Sequence, residues 1–166
     1  MSTNATGHDP EEELHRRIKA KGPITFAEFQ EVALYWSHGG YYVGQPPLGA
    51  RGDFYTAPLT HPVFGALISR QIAQMWRLMG EPEPFTLTEP GAGSGRLAAD
   101  VVSHLALEDP SFLSALRYMG VDLSEPTVAL PESVSWRLPA VLPADPVTGC
   151  VLANELLDAM PAHRVE

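Results

Sequence analysis

A basic surface, a disulfide framework and a membrane span are all missing from this sequence, and each absence removes a class of function. Eleven Lys and Arg stand against 20 Asp and Glu, a formal charge of −9. Gripping nucleic acid through its phosphates needs concentrated positive charge, so no nucleic-acid partner is expected. The single cysteine, Cys150, forbids an internal disulfide. Its apolar neighbours Val151, Leu152 and Ala153 mark it as a strand residue rather than a reactive thiol. No run approaches the roughly 18 apolar residues that cross a bilayer, so no membrane partner is expected. His8, His15, His38, His61, His104 and His163 are scattered without metal-ligand spacing, and no metal site is expected. The stretch from Met1 to Glu13 is polar and then acidic. It has neither the apolar core of an export signal nor the Arg-rich, acid-poor character of a transit peptide. The expectation is a cytoplasmic protein.

What is present begins with two helices. Asp9 can cap a helix that opens with Pro10 and the acids Glu11 to Glu13, which face the positive helix end. Gly22-Pro23 stops it. Thr25-x-x-Glu28 is a capping box for a second helix running to about Trp36. Residues 39–59 are rich in Gly and Pro but also carry Tyr41, Tyr42, Phe54 and Tyr55. An aromatic loop of that length inside a compact domain points to function. From Thr60 to Met79, Phe64, Leu67, Ile68, Ile72, Met75 and Trp76 recur at helical spacing.

Beyond residue 84 strands and helices alternate. Strands are predicted at Phe85–Glu89, Tyr118–Asp122, Val134–Trp136 and Val147–Ala153, with a helix from Arg96 to Leu107 and a short helical piece from Phe112 to Leu116. This alternation predicts a parallel sheet covered on its faces. Only 11 residues separate Asp122 from Val134, including Pro126 and Pro131, which is little for a crossover. Asn154 is placed to cap a further helix, with Glu155 and Asp158 as acids of its first turn. The division expected is a tail and two-helix segment over 1–48, then a ligand-binding domain over 49–166.

The chemistry concentrates in Glu89-Pro90-Gly91-Ala92-Gly93-Ser94-Gly95, where a strand hands over to a helix. In a doubly wound sheet, nucleotides bind in this crevice. A dinucleotide fingerprint counted from Gly91 needs glycine where Arg96 stands, and a P-loop needs a lysine that is absent. An acid followed by alternate glycines fits an adenosylmethionine loop. Glu89 would then interact with the methionine end of the ligand, across Gly91, Ala92, Gly93 and Gly95. Asp122 could accept hydrogen bonds from both ribose hydroxyls, since a carboxylate offers two oxygens and no donor.

Taken together, Gly52-Asp53-Phe54-Tyr55-Thr56-Ala57-Pro58, Phe64-Gly65, the 89–95 loop and Ala153-Asn154-Glu155-Leu156-Leu157-Asp158-Ala159-Met160-Pro161 resemble the MidA family of class I methyltransferases. That family includes the mitochondrial protein-arginine methyltransferase that assists assembly of respiratory complex I. The resemblance runs from about residue 25 to the end of the chain. It implies an α/β fold: a small helical segment, then strands 1–4 of a Rossmann-like methyltransferase sheet, cut short after the fourth strand.

It also implies S-adenosyl-L-methionine as cofactor and a protein substrate, such as a respiratory-complex subunit. Asp53, Phe54, Tyr55 and Thr56 would close over cofactor and substrate, with Asp53 on the catalytic side and Tyr55 and Thr56 on the cofactor. Asn154, Glu155 and Asp158 would line the methyl-acceptor side. The function implied is methylation of a protein arginine nitrogen. The alternatives are a non-catalytic cofactor-binding assembly factor or remnant, and a methyltransferase for another acceptor. An exposed fourth strand would also be an open edge, a place for a second copy to pair into a homodimer.

Overall fold

Three stretches, residues 9–43, 57–139 and 146–165, are described in the computed structural model. Asp53, Tyr55 and Thr56 lie outside the described residues. The chain divides into two compact units. One holds the N-terminal helices together with the segment from Leu157 onward, and the other holds the sheet.

In the first unit, α1 (Pro10–Lys21) and α2 (Phe26–Tyr35) start where their caps dictate. The Asp9 side chain accepts the Glu12 N–H at 2.8 Å, and Thr25 and Glu28 form the reciprocal capping box. Gly22, at φ +83°, ends α1 in a conformation that costs other residues strain. Glu13 is buried, and its carboxylate accepts from both Arg16 and Arg17 at 2.7 Å. Those guanidinium hydrogen bonds hold its pKa down at about 2. The Tyr35 hydroxyl donates to the Ala159 carbonyl at 2.7 Å, and the Ala162 N–H to the Gln30 Oε1 at 2.9 Å. These two bonds tie the C-terminal segment to α2.

The second unit opens with α3 (Ala57–Thr60) and α4 (Val63–Leu78). The turn at Ala57–Thr60 falls in a stretch read from the sequence as loop. Then come β1 (Phe85–Pro90), α5 (Arg96–Glu108), α6 (Pro110–Ala115), β2 (Leu116–Val121), β3 (Val134–Arg137) and β4 (Gly149–Val151). The strands form one parallel sheet in the order β3-β2-β1-β4. This is the expected partial Rossmann-like methyltransferase architecture.

β1 alternates buried and half-buried residues, with Phe85, Leu87 and Glu89 inward. The core joins Phe85, Leu87, Leu116 and Tyr118 of the sheet to Ile72 and Trp76 of α4, Leu97, Val101 and Leu105 of α5, and Phe112 of α6. Trp76 stacks on Phe112 at 4.9 Å between ring centroids, and Phe112 meets Phe85 edge-on at 5.6 Å. At roughly 1.5–3 kcal/mol for each large apolar side chain fully buried, this cluster is the main support of the sheet. α4 lies close enough to α5 that a Cβ at Gly65 would come within 2.7 Å of the Asp100 Cβ.

Three expectations change. β4 covers only Gly149–Val151 of the expected Val147–Ala153, because its pairing with β1 extends only over Thr86–Thr88. β2 begins two residues earlier than expected, because α6, capped by Asp109, ends at Ala115 and the chain extends at once. Asn154 does not cap an α-helix. Glu155 follows at φ +50°, a left-handed conformation that an α-helix cannot include, and only a 3-10 turn forms at Leu157–Ala159.

Candidate functional site

β1 delivers Glu89 and Pro90 to the carboxyl edge of the sheet, and the chain then turns sharply into α5. Gly91, Gly93 and Gly95 have φ of +73°, +57° and +81°. Two of them are also crowded. A Cβ on Gly91 would stand 2.9 Å from the Leu156 Cδ1, and one on Gly95 would stand 2.8 Å from the Leu130 Cδ2. Alternate glycines are therefore favoured here by backbone conformation, and at Gly91 and Gly95 a side chain would also have to displace a leucine.

Four of the loop's N–H groups are spent within the protein. Gly91 and Ala92 donate to the Val121 carbonyl at 2.8 and 3.2 Å. Gly93 donates to the Asp122 Oδ2 at 2.8 Å, and Gly95 to the Ala92 carbonyl at 3.0 Å. A pyrophosphate cradle needs such N–H groups pointing at the ligand. Here they point into the fold, beside two carboxylates. That donor set suits a ligand presenting hydroxyls and positive charge, not phosphate, so the loop fits an adenosylmethionine.

Asp122 sits just past β2 and organises the same corner. Its Oδ1 accepts from the Ser124 N–H and hydroxyl, both at 3.1 Å. The connection from Asp122 to β3 contains no helix; it folds back over the glycine loop. Thr127 and Val128 donate to the Ser94 carbonyl at 3.1 and 3.2 Å, while Pro126 and Leu130 border Gly95. A connection of 11 residues thus spans the parallel crossover and covers the loop. Trp136 of β3 fixes it from the other side, donating its Nε1–H to the Ser124 carbonyl at 2.9 Å. The Trp136 ring fills the space beside Gly120, where a Cβ would come within 2.7 Å of it.

Glu89 is 3% exposed, and the Tyr118 hydroxyl donates to its Oε2 at 2.7 Å. Burial pushes its pKa up to about 7, the Tyr118 hydrogen bond works against that, and the charge of Asp122 adds to it. The Tyr118 phenol is pushed well above its ordinary range by burial and by Glu89. Cys150 is half-buried, and burial raises its thiol too.

The structure therefore brings Glu89, Gly91, Ala92, Gly93, Gly95 and Asp122 to one corner. Asn154 and Glu155 follow β4 on the same edge, and Leu156 packs against Gly91. Asp158 lies in the 3-10 turn that belongs to the other unit. Sequence reasoning missed Tyr118, Leu130, Trp136 and Leu156. Only Tyr118 left a trace: its position in β2 would pair it with Leu87 and turn it to the face of Glu89.

A four-stranded parallel sheet ending in an acidic, glycine-built corner with a second carboxylate after β2 is a partial class I methyltransferase fold. The comparisons name the family. Residues 67–166 match the family model described as "Putative S-adenosyl-L-methionine-dependent methyltransferase". The fruit-fly (Drosophila melanogaster) protein arginine methyltransferase NDUFAF7 homolog, mitochondrial, is 31% identical over 93% of this chain and 41% of its own length. The mouse (Mus musculus) protein arginine methyltransferase NDUFAF7, mitochondrial, is 40% identical over 54% of this chain and 20% of its own. A COG1565 superfamily member from Burkholderia thailandensis, crystallised bound to S-adenosyl-homocysteine, superposes with a TM-score of 0.70 at 30% identity. It covers 96% of this chain and 46% of its own.

The chain belongs to the MidA family of S-adenosyl-L-methionine-dependent methyltransferases. It spans less than half the length of these relatives.

The cytoplasmic expectation is corrected by the fruit-fly and mouse relatives, both of which are mitochondrial proteins. It rested on the composition of Met1 to Glu13. A targeting leader is separate from the fold it directs, so that composition carries no information about the compartment of the folded domain.

Proposed function

We propose that this chain forms the cofactor-binding half of a methyltransferase acting on a protein arginine nitrogen. The observation that carries the proposal is the carboxylate corner, Glu89 before the loop and Asp122 bonded to Gly93 at 2.8 Å. S-adenosylmethionine supplies an electrophilic methyl group on a sulfonium. Glu89 would hold its positively charged methionine end. Asp122 keeps a lone pair on Oδ2 for a ribose hydroxyl beyond the one given to Gly93, since both Oδ1 sites are taken by Ser124. Leu130, Pro126 and Leu156 would keep water from the apolar parts of the ligand.

The acceptor assignment draws support from the arginine methyltransferases named above and from the acids after β4. A guanidinium presents paired N–H groups, and a carboxylate such as Glu155 could receive them in a bidentate grip. Asn154 offers a carbonyl acceptor and an amide donor to orient the same group. Asp53 would act from the acceptor side, and Tyr55 and Thr56 from the cofactor side. Transfer of this kind depends chiefly on aligning the nucleophilic nitrogen with the methyl carbon.

The test is transfer of labelled methyl groups to arginine-containing protein by the intact enzyme, wild type against Glu155→Gln. Loss of turnover with cofactor binding retained supports the acceptor role. Unchanged turnover removes Glu155 from the catalytic set. Cofactor binding without transfer to any protein by the wild-type enzyme would favour a non-catalytic binding factor.

A further inference from the structure

Glu89 is a buried carboxylate with a neighbour that the cofactor-binding reading has not used. The β1–β2 register pairs Leu87 with Tyr118 and Glu89 with Gly120. Paired residues of adjacent parallel strands share a face, so Tyr118 and Glu89 lie on the same side of the sheet, one step apart diagonally. Gly120 has no side chain between them. Tyr118 is 1% exposed within the core cluster, so its ring has no room to turn its hydroxyl elsewhere.

We propose that Tyr118 is a positioning residue for cofactor binding, whose phenol fixes the Glu89 carboxylate at the head of the glycine loop and holds it in the anionic form that a cationic cofactor requires. This assignment rests on the cofactor-binding reading given above. A phenol O–H donating to a carboxylate stabilises the charged acid more than the neutral one. That help matters here because two other influences oppose ionisation. The Glu89 carboxylate is buried, and the charge of Asp122 repels its own. Among the described residues no Lys, Arg or His forms an ion pair with Glu89.

The titratable groups bearing on the pair are Asp122 after β2 and Cys150 of β4, the latter acting on the Tyr118 phenol. Both are acids and neither supplies a proton donor to Glu89 in the structure. With Tyr118 silenced, Glu89 would be neutral near pH 7 and its attraction for the methionine ammonium and the sulfonium would be lost.

The test is a titration of the folded chain with S-adenosylmethionine, without acceptor, from pH 6 to 8.5. Wild type, Tyr118→Phe, Glu89→Gln and the double variant are compared, with thermal melts as a check on folding. Wild-type affinity is expected to rise through a midpoint near pH 7. In Tyr118→Phe the midpoint moves up by about one pH unit, the size of one charge-assisted hydrogen bond. Binding by that variant is then about fivefold weaker near pH 7 and recovers toward wild type at pH 8.5. In Glu89→Gln the profile is flat, and adding Tyr118→Phe changes nothing further.

A loss of affinity in Tyr118→Phe that is equal at every pH, or equal in both backgrounds, overturns the assignment while leaving cofactor binding intact. Should Tyr118→Phe fail to fold, Glu89→Gln carries the test: a flat profile supports the assignment and a retained midpoint near 7 overturns it. No saturable binding by the folded wild-type chain overturns the cofactor reading itself, and this assignment with it.

Discussion

Asp122 and Gly93 are joined by one hydrogen bond, the Gly93 N–H to Oδ2 at 2.8 Å, which ties the end of β2 to the middle of the glycine loop. The other Asp122 oxygen receives two donors from Ser124. Asp122→Ala strands the Gly93 and Ser124 N–H groups together, at about 2 kcal/mol of stability. Asp122→Asn keeps one acceptor but turns an NH2 toward one of those donors, and should fall between wild type and Ala. Chemical denaturation measures the first effect. Titration with S-adenosylhomocysteine should show at least tenfold weaker binding for the Ala variant.

Gly95 and Gly80 share a left-handed backbone, φ +81° and +83°, but not a neighbourhood. A Cβ at Gly80 meets nothing within 4 Å, whereas at Gly95 it collides with Leu130 and crowds Pro126 at 3.3 Å. Gly80→Ala should therefore cost only backbone strain, about 1–2 kcal/mol. Gly95→Ala should cost more, and it alone should weaken cofactor binding, because the displaced segment is the loop's cover. Paired melts and titrations of the two variants separate strain from crowding.

Stability of the ligand-free chain should depend on pH with opposite signs from two buried acids. Glu13, held down at about 2, contributes stability that is present above pH 4.5 and is lost as pH falls toward 2. Glu89, raised to about 7, contributes stability that is present below pH 4.5 and is lost as pH rises through 7. The second effect is on the order of 3 kcal/mol across that window. Melting at pH 5 and pH 8 should show wild type losing stability relative to Glu89→Gln as pH rises. A constant difference between them would mean that Glu89 ionises as freely in the fold as in the unfolded chain.

Glu155 holds φ +50° without being glycine. Replacing it by glycine removes the steric strain, about 1 kcal/mol, and gives back a similar amount in unfolded-chain entropy. Glu155→Gly should therefore melt no lower than wild type, while methyl transfer by the intact enzyme falls at least tenfold with the carboxylate gone. Retained transfer with retained stability would mean that the strained residue serves only the turn.

Much of the scaffold is legible in local sequence because local chemistry determines it. Asp9 and Thr25 start helices by capping, and Gly22 stops one through its left-handed φ. The alternate glycines mark the loop because Gly91, Gly93 and Gly95 all hold the positive φ that other residues resist. What escaped is long-range. The short connection to β3 is tolerable because Thr127 and Val128 borrow the Ser94 carbonyl, a contact across the fold that no periodicity announces. Tyr118 reads as an ordinary strand aromatic until the register sets it beside Glu89. Asn154 and Glu155 look like a helix start by composition, and only the left-handed backbone of Glu155 shows that they form a turn.

The central claim is that the corner made by Glu89, the glycine loop and Asp122 holds S-adenosylmethionine. The most direct measurement is calorimetric titration of the folded chain with S-adenosylhomocysteine, wild type beside Gly93→Val. A β-branched residue is forced out of the φ +57° that Gly93 adopts, which breaks the loop while leaving the sheet in place. The account predicts saturable binding by wild type and its loss in the variant; a folded wild-type chain that takes up no ligand, or a variant that binds as tightly, would contradict it.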